Sequence, residues 1–141
     1  MKAFAAIVCV LIVLAGCGGP ESPSIQDLAD GHTLAAYKMG ALRGARDGDR
    51  LAAQAMFTDT SSTLTMDMRF RIGSPATLES GTWQWARSNR LESGSVAARS
   101  VDFLGGQDGP PSIGGTFDLI GPEGKPLYRV SIPVTQLSRP R

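Results

Sequence analysis

Few side chains in this chain have the types and spacing that do chemistry. His32 is its single histidine, so neither a histidine dyad nor a multi-histidine metal site can be assembled within it. Asp47-Gly48-Asp49 sets two carboxylates two positions apart, as a calcium loop does. Such a loop needs a third oxygen ligand two residues on, and that position is Leu51, so the triplet reads as punctuation between elements. Glu79 and Glu92 flank a tryptophan pair, but glycoside hydrolysis needs two acids at a set distance, which sequence spacing does not supply. Trp83 and Trp85 alternate, so they share one face of a strand. They are candidate ligand or partner contacts, either as a stacking platform for a sugar or other flat molecule or as a half-buried core pair. Arg69, Arg71, Arg87 and Arg90 form either a basic patch or a solvated face. No residue is assigned to catalysis, to a metal or to a cofactor.

The N-terminus carries a different kind of signal. Met1-Lys2 is a minimal positive region, and Ala3 to Ala15 is apolar throughout, too short to span a bilayer. Leu14-Ala15-Gly16-Cys17 then resembles the lipobox of bacterial lipoproteins, in which a signal peptidase cuts before the cysteine. The resemblance implies that residues 1–16 are a signal peptide and that the Cys17 thiol carries a diacylglyceryl thioether. Residue 18 is Gly rather than the Asp that marks inner-membrane retention in Gram-negative lipoproteins. This implies the outer membrane, facing the periplasm; the alternative is the outer face of the cytoplasmic membrane. Cys9 would leave with the leader.

The remainder reads as one domain, residues 25–141, behind a Gly/Pro/Ser tether over 17–24. Without Cys9, Cys17 has no intramolecular disulfide partner, so the fold relies on its hydrophobic core. The full chain has 14 Lys and Arg against 13 Asp and Glu, and loss of Lys2 with the leader balances them. Such a balance does not suit nucleic acid, which calls for a basic stripe.

The spacing predicts a helix from about Ser24 to Arg46, with Leu34, Tyr37, Ala41 and Leu42 on one side. Gly40 and Gly44 within it either weaken it or allow a close approach to a sheet. A second short helix is predicted over 50–57, striped by Leu51, Ala52, Ala55 and Met56. The period then changes to two. Five strands follow, at 64–72, 82–87, 95–104, 116–120 and 127–134, joined by short loops that favour an antiparallel meander. Pro133 argues for an edge position in the last strand, and the tail 138–141 reads as frayed. The expected class is α+β, an N-terminal helix or helix pair packed on a five-stranded sheet; a small β-sandwich or a cystatin-like roll is the alternative.

Residues 45–59, Ala-Arg-Asp-Gly-Asp-Arg-Leu-Ala-Ala-Gln-Ala-Met-Phe-Thr-Asp, resemble the Gly-Asp helix of the NTF2-like superfamily. That resemblance implies a curved sheet around helices with a conical pocket. The chain departs from the family where Gly73 to Gly81 is too short and broken for the helix that follows its first strand. The functional expectation is a lipid-anchored envelope protein, a non-enzymatic binding or structural module that meets an envelope partner through a sheet edge or face. The alternative is a lipoprotein holding a small ligand between helices and sheet.

Overall fold

Residues alternate between large apolar and polar side chains along most of the chain, and the structure turns that alternation into one antiparallel sheet. The computed structural model describes residues 22–87, 89–105 and 110–139. The leader 1–16, Cys17 and residues 18–21 of the tether lie outside them. The strands are β1 (Ser24–Asp27), β2 (Lys38–Met39), β3 (Arg43–Asp47), β4 (Arg50–Thr58), β5 (Ser62–Arg71), β6 (Thr77–Arg87), β7 (Arg90–Leu104), β8 (Ser112–Ile120) and β9 (Pro126–Gln136). They are ordered β1-β9-β8-β7-β6-β5-β4-β2, with β3 beside β2 on the free flank of β4.

The sheet curls into a nearly closed barrel. At its upper end the last residues after β9 meet β3: the Ser138 amide donates to the Leu42 carbonyl at 2.8 Å, and the Gly44 amide donates to the Ser138 carbonyl at 2.9 Å. Ser138 therefore closes the barrel instead of fraying. At the lower end β1 pairs with β9 and turns back through a Gln26–Thr33 bridge. Closure removes open edges, which otherwise invite pairing with other chains.

No helix occurs among the described residues, so the α+β expectation is overturned. The first predicted helix is replaced by the short strands β1, β2 and β3 with turns and irregular segments between them, the second is β4, and Ser24, assigned to the tether, opens β1. The segment 50–57 shows why. Its alanines favour a helix in isolation, but period two runs through it equally well. Leu51, Ala53, Ala55 and Phe57 are buried while Ala52 and Met56 are exposed. Opposite them, β5 offers Phe70, Met68, Met66 and Leu64. Small faces large in the middle of the ladder, and the two strands interlock as neither would alone. Asp47-Gly48-Asp49 is a hairpin turn, Asp47 pairing with Arg50, and Gly48 takes the positive φ of 65° that two-residue hairpins require. The NTF2-like helix over 45–59 is thus the β3–β4 hairpin. Gly44 does serve a close approach, but between strands: a Cβ would collide with the Ala52 carbonyl oxygen.

The five strands predicted further on exist, mostly longer than expected. They form a meander in which every neighbour is antiparallel. β9 as a whole lies between β8 and β1, but Pro133 is beyond the β1 ladder, which covers only Tyr128–Ser131, and beside the register shift between β8 and β9, so the edge reading holds locally.

The interior is filled. Trp83, Trp85, Phe57, Phe70, Phe117, Leu64, Met66, Leu119, Val130 and Ile132 all point inward and are almost fully buried. Each such side chain contributes roughly 1.5–3 kcal/mol on burial. The outward face carries Arg50, Gln54, Asp67, Arg69, Arg71, Thr82 and Gln84. This is the inverse of a membrane-spanning barrel, which is apolar outside and polar within.

One seam is incomplete. The β6–β7 ladder runs only from Arg87–Arg90 up to Thr82–Ser95. Above that level β6 bulges at Glu79 against β5, and β7 bulges at Arg99 against β8. Bulges bend and twist a strand locally. These two sit on either side of the seam where the ladder ends.

Gly94 holds the interior arrangement in place, since a Cβ there would strike the Ile120 carbonyl oxygen and lie 2.8 Å from Trp83 Nε1. We expect Gly94→Ala to cost about 3 kcal/mol by overpacking and loss of a buried hydrogen bond. Thermal unfolding of Gly94→Ala beside Ser93→Ala, an exposed neighbour, measures the difference.

Candidate functional site

Three surfaces of the barrel bring together side chains that could engage another molecule. At the lower end lie the tryptophans. Both point inward, Trp83 at 1% and Trp85 at 0% exposure, so neither ring is open as a platform. Trp83 Nε1 donates to the Ile120 carbonyl at 3.0 Å, and Trp85 Nε1 donates to Tyr37 Oη at 3.2 Å. Tyr37 Oη in turn bonds Ser62 Oγ, and Asp59 gathers the Ser61 amide, the Ser62 amide and the Ser62 hydroxyl on one carboxylate oxygen. The Arg87 guanidinium lies over Trp85 at 3.7 Å and donates from Nη2 to Tyr128 Oη at 3.1 Å. Tyr128 Oη donates to Glu92 at 3.3 Å. These contacts pair the indole and hydroxyl groups at the lower mouth, as buried tryptophan and tyrosine require, while Arg87 Nε is buried without a hydrogen-bond partner, 4.0 Å from Glu92.

Two groups here titrate away from their usual ranges. The Ser61 amide, then the Ser62 hydroxyl, hold the half-buried Asp59 carboxyl below the ordinary carboxylate range. Burial pushes the Tyr128 phenol up, against the opposing pull of Arg87.

The second surface is an open groove of about 560 Å³ outside β3–β6. Arg43, Ala45, Ala52, Gln54, Asp67, Arg69, Ser80 and Thr82 form it. Its floor is made of small side chains, and its polar rim includes a Gln54–Asp67 hydrogen bond of 2.9 Å. The third is a groove of about 430 Å³ at the upper end, between the turn Gly73–Ala76 and Val101–Leu104, with Val134 at its side. Sequence reasoning missed both grooves. The first depends on which outward residues of four strands lie side by side, and the second on two bulges. Neither is encoded in a local pattern.

The remaining candidates separate. His32 is exposed in the connection after β1. Glu79 sits at the upper end, with Arg71 at 3.7 Å and Arg50 at 3.9 Å. Glu92 sits at the lower end beside Arg87 and Arg90, so the two acids do not face one another. Arg69 and Arg71 belong to the outer face of β5, whereas Arg87 and Arg90 flank the lower turn; no single patch unites them. Among the described residues no three His, Cys, Asp or Glu side chains converge as metal ligands. With no helix among the described residues, the expected pocket between helices and sheet has nothing there to form it. No protein family, curated protein or solved structure matches this chain.

The raised Tyr128 value gives a pH dependence with a defined sign. The fold favours the neutral phenol, so its contribution is complete below the ordinary tyrosine range and is lost as pH rises through the elevated value. Thermal midpoints should fall on the alkaline side for the wild-type chain. Tyr128→Phe, which has no phenol to ionise, should lose that component; an unchanged alkaline fall in this variant would contradict the assignment.

Proposed function

We propose that this chain is a lipid-anchored bacterial cell-envelope protein whose barrel is a rigid, non-enzymatic binding module, working through its outer surface on the periplasmic side of the outer membrane. The observation that carries the binding reading is the occupancy of the interior. Barrels of about this strand number either hold one small ligand or fill with their own side chains. Here Trp83, Trp85, Phe57, Phe117 and Met66 occupy that space, and the groove of about 560 Å³ lies on the outer wall.

The anchoring reading rests on Leu14-Ala15-Gly16-Cys17 after its apolar run. The polar outer wall supports attachment through a lipid rather than through the strands themselves. One acyl chain binds marginally, with about 0.8 kcal/mol per buried CH₂, so the two chains of a diacylglyceryl group convert reversible binding into stable anchorage.

Metabolic palmitate labelling with membrane fractionation tests the anchor. Wild type should take up label and sediment with membranes, and Cys17→Ala should do neither; a wild-type chain that stays soluble and unlabelled overturns the anchor. For the module, a photo-crosslinking amino acid is placed in intact cells at outward Gln54 or Thr82, or at inward Leu64. Discrete crosslinks to an envelope protein from the outward positions only are expected. The same adducts from Leu64, or none from any outward strand position, would contradict it.

A further inference from the structure

We propose that the upper part of β7, Ser100–Leu104, is an acceptor edge for an extended peptide strand with apolar residues at alternate positions and a cation between them. The inference rests on the binding-module reading above and names its partner's chemistry.

β8 pairs with one side of Ser100–Leu104, while the β6 ladder has already ended at Thr82–Ser95. No backbone hydrogen bond among the described residues joins the turn 73–76 to 101–104, and the groove of about 430 Å³ occupies that gap. In an antiparallel strand, successive residues turn their amide and carbonyl groups alternately to the two sides. Half of those in Ser100–Leu104 therefore face the groove. Ala98, on the inward face opposite Phe117, is exposed, which places the opening of the wall at the same level. Leu104 stands 63% exposed at the rim.

The bulge at Arg99 sets the lower limit of this edge. Above it β7 alternates regularly. Val101 and Phe103 pack toward the core, so Asp102 between them lies on the outer face. An added strand of about five residues spans roughly 16 Å. Opposite Val101 and Phe103 it would present apolar side chains, and opposite Asp102 a side chain from the outer face. Among the described residues no Lys or Arg pairs with Asp102.

Charge decides between a second copy and a foreign strand. Full two-fold overlap of two copies of Ser100–Leu104, the register that pairs the whole edge, sets Val101 against Phe103 and Asp102 against Asp102. Directly opposed like charges destabilise a strand pair, and opposed unlike charges stabilise it. The edge thus disfavours its own copy and selects a Lys or Arg between apolar neighbours.

The test uses the full-length lipidated protein in detergent micelles. Its probes are fluorescein-labelled eight-residue peptides, one alternating valine and lysine, one alternating valine and glutamate, and an N-methylated form of the first. The valine–lysine peptide should bind about tenfold more tightly than the glutamate peptide. The N-methylated form should lose binding, because it cannot donate backbone hydrogen bonds. Asp102→Lys should invert the preference and Asp102→Asn should remove it, with thermal melts confirming that both variants fold. Amide exchange at 101–104 should slow on binding. Equal affinity for both charges, an unaltered preference in Asp102→Lys, or protection confined to another strand overturns the proposal. If these fail while outward crosslinks in cells persist, the peptide edge falls and the binding module stands; if the crosslinks are absent too, both fall.

Discussion

The reach of Trp83 across β7 organises this barrel. Its indole lies opposite Gly94 and passes over the space where a side chain would stand, to donate a hydrogen bond to the Ile120 carbonyl one strand further on. One side chain on β6 thereby ties β7 and β8 into the same wall. The packing around it follows the same logic. Ala55 and Met66 continue its row on one side, and Gly81 and Met68 lie in the row above. Where the row is broad another residue is small, which is how a narrow barrel reaches interior density. Tyr128 then packs against both indoles, with ring centroids 6.1 Å from Trp83 and 4.7 Å from Trp85.

The second half of the fold was legible because its strands obey period two without competition. Leu64, Met66, Met68, Phe70 and the alternating Thr, Asp and Arg between them admit no helical stripe. The first half was not legible because Ala52, Ala53, Ala55 and Met56 satisfy both periods, and alanine's intrinsic preference tips an isolated segment toward helix. The choice is made by β5, whose methionines fit over Ala53 and Ala55. Tertiary pairing overrode local propensity. Closure by Ser138 onto Leu42 and Gly44 joins residues about a hundred positions apart, and no local signal announces it.

The candidate site divides in the same way. That Trp83 and Trp85 share a face follows from their spacing, but which side of the sheet is wet does not. Once the barrel closes, that face is interior, and the two rings become structure. Surfaces free to engage a partner lie outside, where the residues are small or charged and individually unremarkable: Ala45, Ala52, Ser80, Asp67, Asp102. Their arrangement depends on register and on the bulges at Glu79 and Arg99. Cys17 stands apart, because a lipidation signal is read locally and depends on no long-range packing.

Tryptophan fluorescence tests the filled interior most directly, since Trp83 and Trp85 are the chain's only tryptophans. The account predicts blue-shifted emission, little quenching by acrylamide, and no response to added fatty acids or other apolar small molecules. Red-shifted, readily quenched emission, or a saturable spectral change on adding such a ligand, would mean that the barrel opens to take a guest, and would contradict it.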